Sequence, residues 1–558
     1  MIKSSWGRAM KKSRFLFGAV IPLLSGCSCS LFDFSPFSWE KYKNDSFSMS
    51  LSSEKFEKYN LESFPNFDSK LSALKDVVTS KGNRNTFINK YNEVSANLLE
   101  IVNCYIISST KYYATNSPAY EQKTNEYYSL YSNASRFLMD LEVDIYNSSD
   151  EIKKAYFGDM SNSEIEKRIN GNADSALKAQ YDETFKEYQN DGQQLYLAYR
   201  NGGMSKENYL LAGFDYFYRY VEKANELIGK ISDNNYLDFA YDYYYSRDYK
   251  YTDAIPFVNY VKQYFVPIAK NKSKLKVPSD VNKTLLSVIS SYNMCNRKAS
   301  MCDVFEAYAQ EMGGDYLNAY NNAFKNGYYC FSDNSNSMGT AYEWNLQGIN
   351  DAVLFFSSNY QDVLSVTHEF GHYYSCVQNG GVRKNDAYDL QETYSQGNEF
   401  TFCKYLLEQK SGDSDAATYN YYVDDKIFNS ISQIINEAAI TEIEQFAYTT
   451  KNLTRDSLEE GVNNILNSYE GTASDTYFMA PCLSSPCYYV SYATSLMEAL
   501  QFASFSFSDA KTHYFNLIQN NDEMTMVQRW ESAGLTSPFK EQTFITLAEL
   551  FSSIAKKY

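Results

Sequence analysis

The chain has 558 residues, 44% hydrophobic and 21% charged, a balance that supports a large folded core and argues against a disordered polar chain. Its formal net charge of −17 argues against a nucleic-acid partner, because no basic footprint is present to neutralise phosphates. Tyrosine reaches 53 residues while histidine is held to 3, so the rings are expected mostly as core-edge packing and the histidines invite attention.

In chain order, residues 1–26 read as a targeting segment outside the fold. From Met10, "MKKSRFLFGAVIPLLSGC" has a cationic start, an apolar run from Phe15 to Leu24, and the box Leu24-Ser25-Gly26-Cys27. Met10 begins this signal more naturally than Met1. The box resembles the bacterial lipoprotein type, in which cleavage leaves a cysteine, here Cys27, at the new N-terminus to carry acyl chains. The resemblance implies a protein lipid-anchored to the bacterial cell membrane on its extracytoplasmic side. An uncleaved membrane anchor is the alternative, but the apolar run is short for a span. Removing Cys27 from the 10 cysteines leaves an odd number, with no C-x-x-C zinc spacing. Cys482 and Cys487 either pair locally or stay as buried thiols.

Residues 27–53 lack a helical period and read as a flexible tether. A helical N-terminal region is expected over 54–325. Phe87, Tyr91, Val94, Leu98, Ile101 and Tyr105 step by four and three along one face of a long helix. "YDETFKEYQNDGQQLYLAYRNGG" repeats the pattern and stops at Gly202-Gly203, and "SKENYLLAGFDYFYRYVEKANELIGKI" continues it. The texture changes at about residue 326, and 326–558 is expected to form a second region, which holds the motif described next. "AVLFFS", Ala352 to Ser357, predicts a strand, either an exposed edge able to hold an extended peptide or an internal strand.

His368-Glu369-Phe370-Gly371-His372 is H-E-x-x-H. On a helix, positions i and i+4 share a face, so both imidazoles can reach one ion while Glu369 reaches a water held there. A catalytic zinc site needs three protein ligands and an open position. Glu392, 24 residues after His368, is the best candidate for the third ligand. Glu399, two turns further on, either orients a ligand from behind or is a salt-bridged surface glutamate.

These segments resemble the thimet oligopeptidase / oligoendopeptidase F family of zinc metallopeptidases, on the oligoendopeptidase F side. The family's G-x-A-Y turn appears as Gly339-Thr340-Ala341-Tyr342, and its aspartate six residues before the first histidine as Asp362. The helix E-x-x-S-x-x-x-E runs from Glu392 to Glu399, and "SPCYYVSYATSL" is similar to the tyrosine-rich helix ending in Y-A-T. The match covers roughly Gly339 to Leu496. It implies a mainly α, helical zincin metallopeptidase with a deep substrate channel and a small β-sheet beside the active-site helix. It also implies one zinc ion per chain held by His368, His372 and Glu392, with Glu369 as general base and short peptides as substrates. Asp362 and Glu399 would support the ligands, and Tyr489 and Tyr492 would face the substrate. From spacing alone, two tyrosines on a helix are ordinarily packing, and a site role for this pair rests on the resemblance.

One departure stands out. The family has a histidine before its tyrosine cluster, whereas "YFMAPCLSSPC" has none, and His513 lies 21 residues past Tyr492, where a structural role is expected. Two rival readings follow: a peptide-capturing surface lipoprotein of the same fold with weak or no turnover, and a thermolysin-like peptidase. The second fits poorly, because its β-rich first half and the helical run here disagree.

Overall fold

The computed structural model describes residues 64 and 66–558 except 159, 163–164, 167–174, 232–234, 272–273, 291–300, 326–328, 333–340, 347–350, 358, 379–386, 413 and 520–523. The signal segment, Cys27, the tether, Gly339 and Thr340 lie outside the described residues. The described chain divides into two compact units that are discontinuous in sequence. One takes residues before Tyr181 and Asn318–Tyr360; the other takes Tyr181–Leu317, Gln361–Gln378 and Lys384–Tyr558.

In the first unit, helices α1 (Phe67–Thr79), α2 (Arg84–Thr115), α3 (Pro118–Tyr146) and α4 (Asp150–Phe157) precede three strands, β1 (Tyr329–Phe331), β2 (Ala341–Leu346) and β3 (Asp351–Phe356). The Asn83 side chain accepts the Thr86 N–H at 2.9 Å and so starts α2. The predicted stripe is the buried face of this helix: Phe87, Val94, Leu98, Ile101 and Tyr105 are all in the core, with Tyr91 half-buried. Tyr105 stacks on Trp344 of β2, and the Tyr342 hydroxyl meets Thr110 Oγ1 at 3.1 Å, which seats the sheet against α2.

The strand order is β1-β3-β2, with β1 parallel and β2 antiparallel to β3. The Ala352–Ser357 expectation is therefore met by β3, but as the central strand. The edge alternative is corrected: β3 has a partner on each side, and Ala341-Tyr342 begins an outer strand instead. Its unbroken apolar run fits a strand covered on both faces.

The second unit is helical. α5 (Ser175–Arg200), most of which belongs here, ends where Gly202 turns to φ +73° and the Gly203 N–H closes on the Ala198 carbonyl. α6 (Lys206–Ile231) and α7 (Tyr236–Tyr243) follow, then α8 (Met301–Met312), α9 (Val363–Gln378) and α10 (Tyr388–Lys410). α11 (Ala416–Thr449), α12 (Val490–Ala499), α13 (Phe507–Ile518) and α14 (Met526–Ser532) complete the elements used below. α10 is the innermost, buried continuously from Asp389 to Cys403, and α9, α11, α12 and α13 all pack on it. No helix among the described residues is long and apolar enough to cross a membrane. Cys482 and Cys487 are free buried thiols, so the local pairing does not occur.

α11 buries Glu444, whose Oε1 accepts the Cys487 N–H at 2.7 Å. Burial pushes this carboxyl up to about 8, against the lowering effects of that N–H and of Arg247. A carboxyl raised on folding stabilises the fold fully below its ordinary value of 4.5 and loses that contribution as pH rises through 8. Glu444→Gln keeps an acceptor for Cys487 and removes the titration. The melting-temperature difference, variant minus wild type, is expected to grow between pH 5 and 8 and then level off. Thermal scans across that range check it, and a flat difference contradicts it.

Candidate metal centre

α9 begins at Asp362, whose Oδ1 accepts the N–H groups of Leu364 at 3.0 Å and Ser365 at 3.1 Å while its Oδ2 accepts Ser365 Oγ at 2.5 Å. A carboxylate here satisfies first-turn donors that have no partner within the helix. Asp362 thus anchors the start of the helix that carries His368 and His372. Burial raises its carboxyl above the usual range, opposed by the Ser365 bonds.

One turn apart on α9, His368 and His372 present their rings 5.1 Å apart at 78°. Glu392, from the first turn and a half of α10, places Oε2 3.5 Å from His368 Nε2 and 3.8 Å from His372 Nε2. Three potential ligand atoms of these residues lie within 4.8 Å of one another, and all three side chains are buried. Two imidazole nitrogens and one carboxylate oxygen converging at that spacing fit a tetrahedral zinc site with one position open. Glu369, on the same helix, is buried beside them.

His368 Nδ1 meets Glu399 Oε1 at 2.8 Å, and the other oxygen of Glu399 meets Lys426 Nζ of α11 at 2.8 Å. An ionised carboxylate only accepts, so the imidazole proton sits on Nδ1 and the lone pair of Nε2 is turned toward Glu392. Burial alone would raise the Glu399 carboxyl, but the Lys426 charge and the His368 bond outweigh it and hold it below the ordinary value. Glu399 is therefore not a surface glutamate: it is buried behind the His368 ring, and it is also salt-bridged. Lys426 was not legible in the sequence, because it arrives from a separate helix.

The tyrosine helix holds a further surprise. Tyr488, which the sequence did not single out, brings its hydroxyl to 3.0 Å from Glu392 Oε1. Tyr492 stands behind it, hydroxyl to hydroxyl at 3.1 Å, and the Tyr489 ring packs edge-on to Tyr477 and Tyr488. Nearby, Asp389 of α10 is fully buried and accepts from Arg247, Tyr249, Ser491 and Thr494, tying α10 to the start of α12. His513 is structural: its Nδ1 lies 2.6 Å from the Ala533 carbonyl and its ring stacks on Phe505.

Solved structures share this fold. PZ peptidase A with an inhibitor is 14% identical over 90% of this chain and 99% of its own, with a TM-score of 0.61. A protein of Bacillus anthracis strain Ames assigned as an oligoendopeptidase F is 14% identical over 88% and 96%, with a TM-score of 0.59. Oligoendopeptidase-F of Enterococcus faecium is 13% identical over 91% and 98%, with a TM-score of 0.50. The chain has the mainly helical fold of these peptidases. No protein-family model matches the sequence, and no curated protein does. At such identities the chemistry has to be argued from the residues.

Close approach of α9 and α10 makes the site, and Gly371 permits it. A Cβ there would lie 2.7 Å from Ser395 Cα and 2.9 Å from the Tyr394 carbonyl, both backbone atoms that cannot swing away. Gly371→Ala should therefore push the helices apart, with a stability loss of about 1–3 kcal/mol and zinc affinity down by about tenfold or more. Denaturant unfolding with a competitive zinc titration checks both. Wild-type affinity in the variant would show that this approach does not set the site.

Proposed function

We propose that the chain is a zinc-dependent endopeptidase that hydrolyses short peptides, tethered by lipid outside the cytoplasmic membrane. The convergence of His368, His372 and Glu392 carries the chemistry. Zinc bound there would supply Lewis acidity, acidifying a water at the open position and polarising the peptide carbonyl. Glu369 accepts the water's proton on its carboxylate and returns it to the leaving amine. Glu399 holds the His368 ring in orientation through Nδ1. Tyr492 or Tyr489 donates a hydrogen bond to the oxyanion that develops on the former carbonyl.

The fold shared with oligoendopeptidase F structures supports a peptide as substrate. For the tether, the support is the Leu24-Ser25-Gly26-Cys27 box, and the disulfide at Cys302 favours an oxidising compartment. A peptide-capturing lipoprotein of weak or absent turnover is the second reading, favoured by the lack of histidine in Tyr477–Cys487. The intact Glu369 argues against it, since capture needs no general base.

Glu369→Gln should retain zinc yet lose about 10²–10⁴-fold in cleavage of a quenched fluorescent peptide. A variant as fast as wild type would remove Glu369 from its role. Full-length recovery of an unlabelled peptide after long incubation with zinc-loaded wild type, read by mass spectrometry, would favour capture instead.

A further inference from the structure

The segment before α12 is held with unusual care. Three consecutive residues have their main chain gripped by side chains from elsewhere in the unit. The Tyr245 hydroxyl donates to the Pro486 carbonyl at 2.6 Å. Glu444 accepts the Cys487 N–H at 2.7 Å. Arg247 Nη2 donates to the Tyr488 carbonyl at 3.3 Å and to Ser491 Oγ at 2.6 Å. Arg247 is itself fully buried, paired with Asp389 at 3.0 Å and stacked on the rings of Tyr241 and Tyr245.

Between these grips Cys487 sits at φ +65°, a left-handed conformation that costs a non-glycine residue roughly 1–2 kcal/mol. Such a conformation persists only where its surroundings over-determine it. Its consequence is the direction taken by the next side chain. The Tyr488 ring is fenced by Tyr245, stacked at 5.7 Å, and by Tyr388 and Tyr492, edge-on at 5.7 and 5.1 Å. Its hydroxyl is thereby delivered to one oxygen of Glu392 while the other faces both imidazoles.

We infer that Tyr488 is a positioning residue that engages Glu392 Oε1 so that the carboxylate offers the metal a single oxygen. This inference rests on reading His368, His372 and Glu392 as a metal site. A carboxylate free to turn can offer both oxygens and fill the position that a water needs; a hydroxyl on one of them opposes that. The strained turn at Cys487 is the part of the fold that aims the hydroxyl.

Tyr488→Phe keeps the ring and deletes the hydroxyl. Zinc affinity, measured by competition with a chromophoric chelator, is expected to fall about 10–100-fold, with the melting temperature of the metal-free protein near that of wild type. With cobalt(II) in place of zinc, the visible absorption should weaken toward that of a higher coordination number. A role in packing alone moves neither reading, so unchanged affinity together with an unchanged cobalt spectrum overturns the inference. Should Tyr488→Phe not fold, Tyr245→Phe, which loosens the Pro486 grip alone, decides in the same assay: weaker zinc binding supports the inference and wild-type binding overturns it. Wild type that takes up no zinc, or a His372→Ala variant that binds as wild type does, brings down the metal-site reading and this inference together. That outcome is distinct from equal binding by wild type and Tyr488→Phe, which overturns this inference alone.

Discussion

A helix with no exposed face over its first four turns that nevertheless carries Asp389, Glu392, Asn398 and Glu399 is the constraint on which the rest depends. Buried polar groups without partners destabilise a fold by about 1–3 kcal/mol each, more when charged. Each of these side chains on α10 must therefore be met by another element, and the meetings fix where every neighbouring element lies. Asp389 is met by Arg247 and the start of α12. Asn398 donates to the Thr367 carbonyl of α9 at 2.7 Å and accepts the hydroxyls of Tyr308 and Tyr316. Glu399 is shared between His368 and Lys426. What looks in sequence like a helix too polar for a core is the frame that brings α9, α11 and α12 to one point.

The electrostatics follow from the same burial. Three carboxylates, Glu369, Glu392 and Glu399, lie in one dry region where unpaired negative charge is unfavourable. Lys426, partly exposed at the edge, serves Glu399 and keeps it ionised. Glu437 of α11, also buried, goes the other way: burial drives it well above the ordinary range, and the Glu392 charge adds to the effect. Burial, more than the Glu392 charge, sets that direction for Glu437, so the two buried glutamates of neighbouring helices end in opposite states.

How much of this could be read in advance depended on distance along the chain. The H-E-x-x-H pair was legible because i and i+4 spacing on a helix is local geometry, and Glu392 because a ligand of the right type recurred on the next helix. The central position of β3 was not, since β1 lies more than twenty residues upstream and nothing local in "AVLFFS" reports a parallel partner. Lys426 was hidden for the same reason. The tyrosines show a subtler limit. Three-residue spacing favoured Tyr489 with Tyr492 on one helical face, but α12 begins only at Val490. Tyr488 therefore precedes the regular helix, and its direction is set by the left-handed backbone at Cys487, which no periodicity argument reaches.

That geometry also bears on how the hydroxyls divide their work. Tyr488 stands within hydrogen-bond distance of both Glu392 and Tyr492 but carries a single proton. A bond to an ionised carboxylate is roughly twice as strong as one between neutral groups, so the proton goes to Glu392. Glu392 and Tyr492 thus compete for one proton, and the neutral 3.1 Å contact to Tyr492 has the weaker claim on it. The hydroxyl that faces Glu392 is held there by the charge of the carboxylate itself, so the preference lasts only while Glu392 stays ionised.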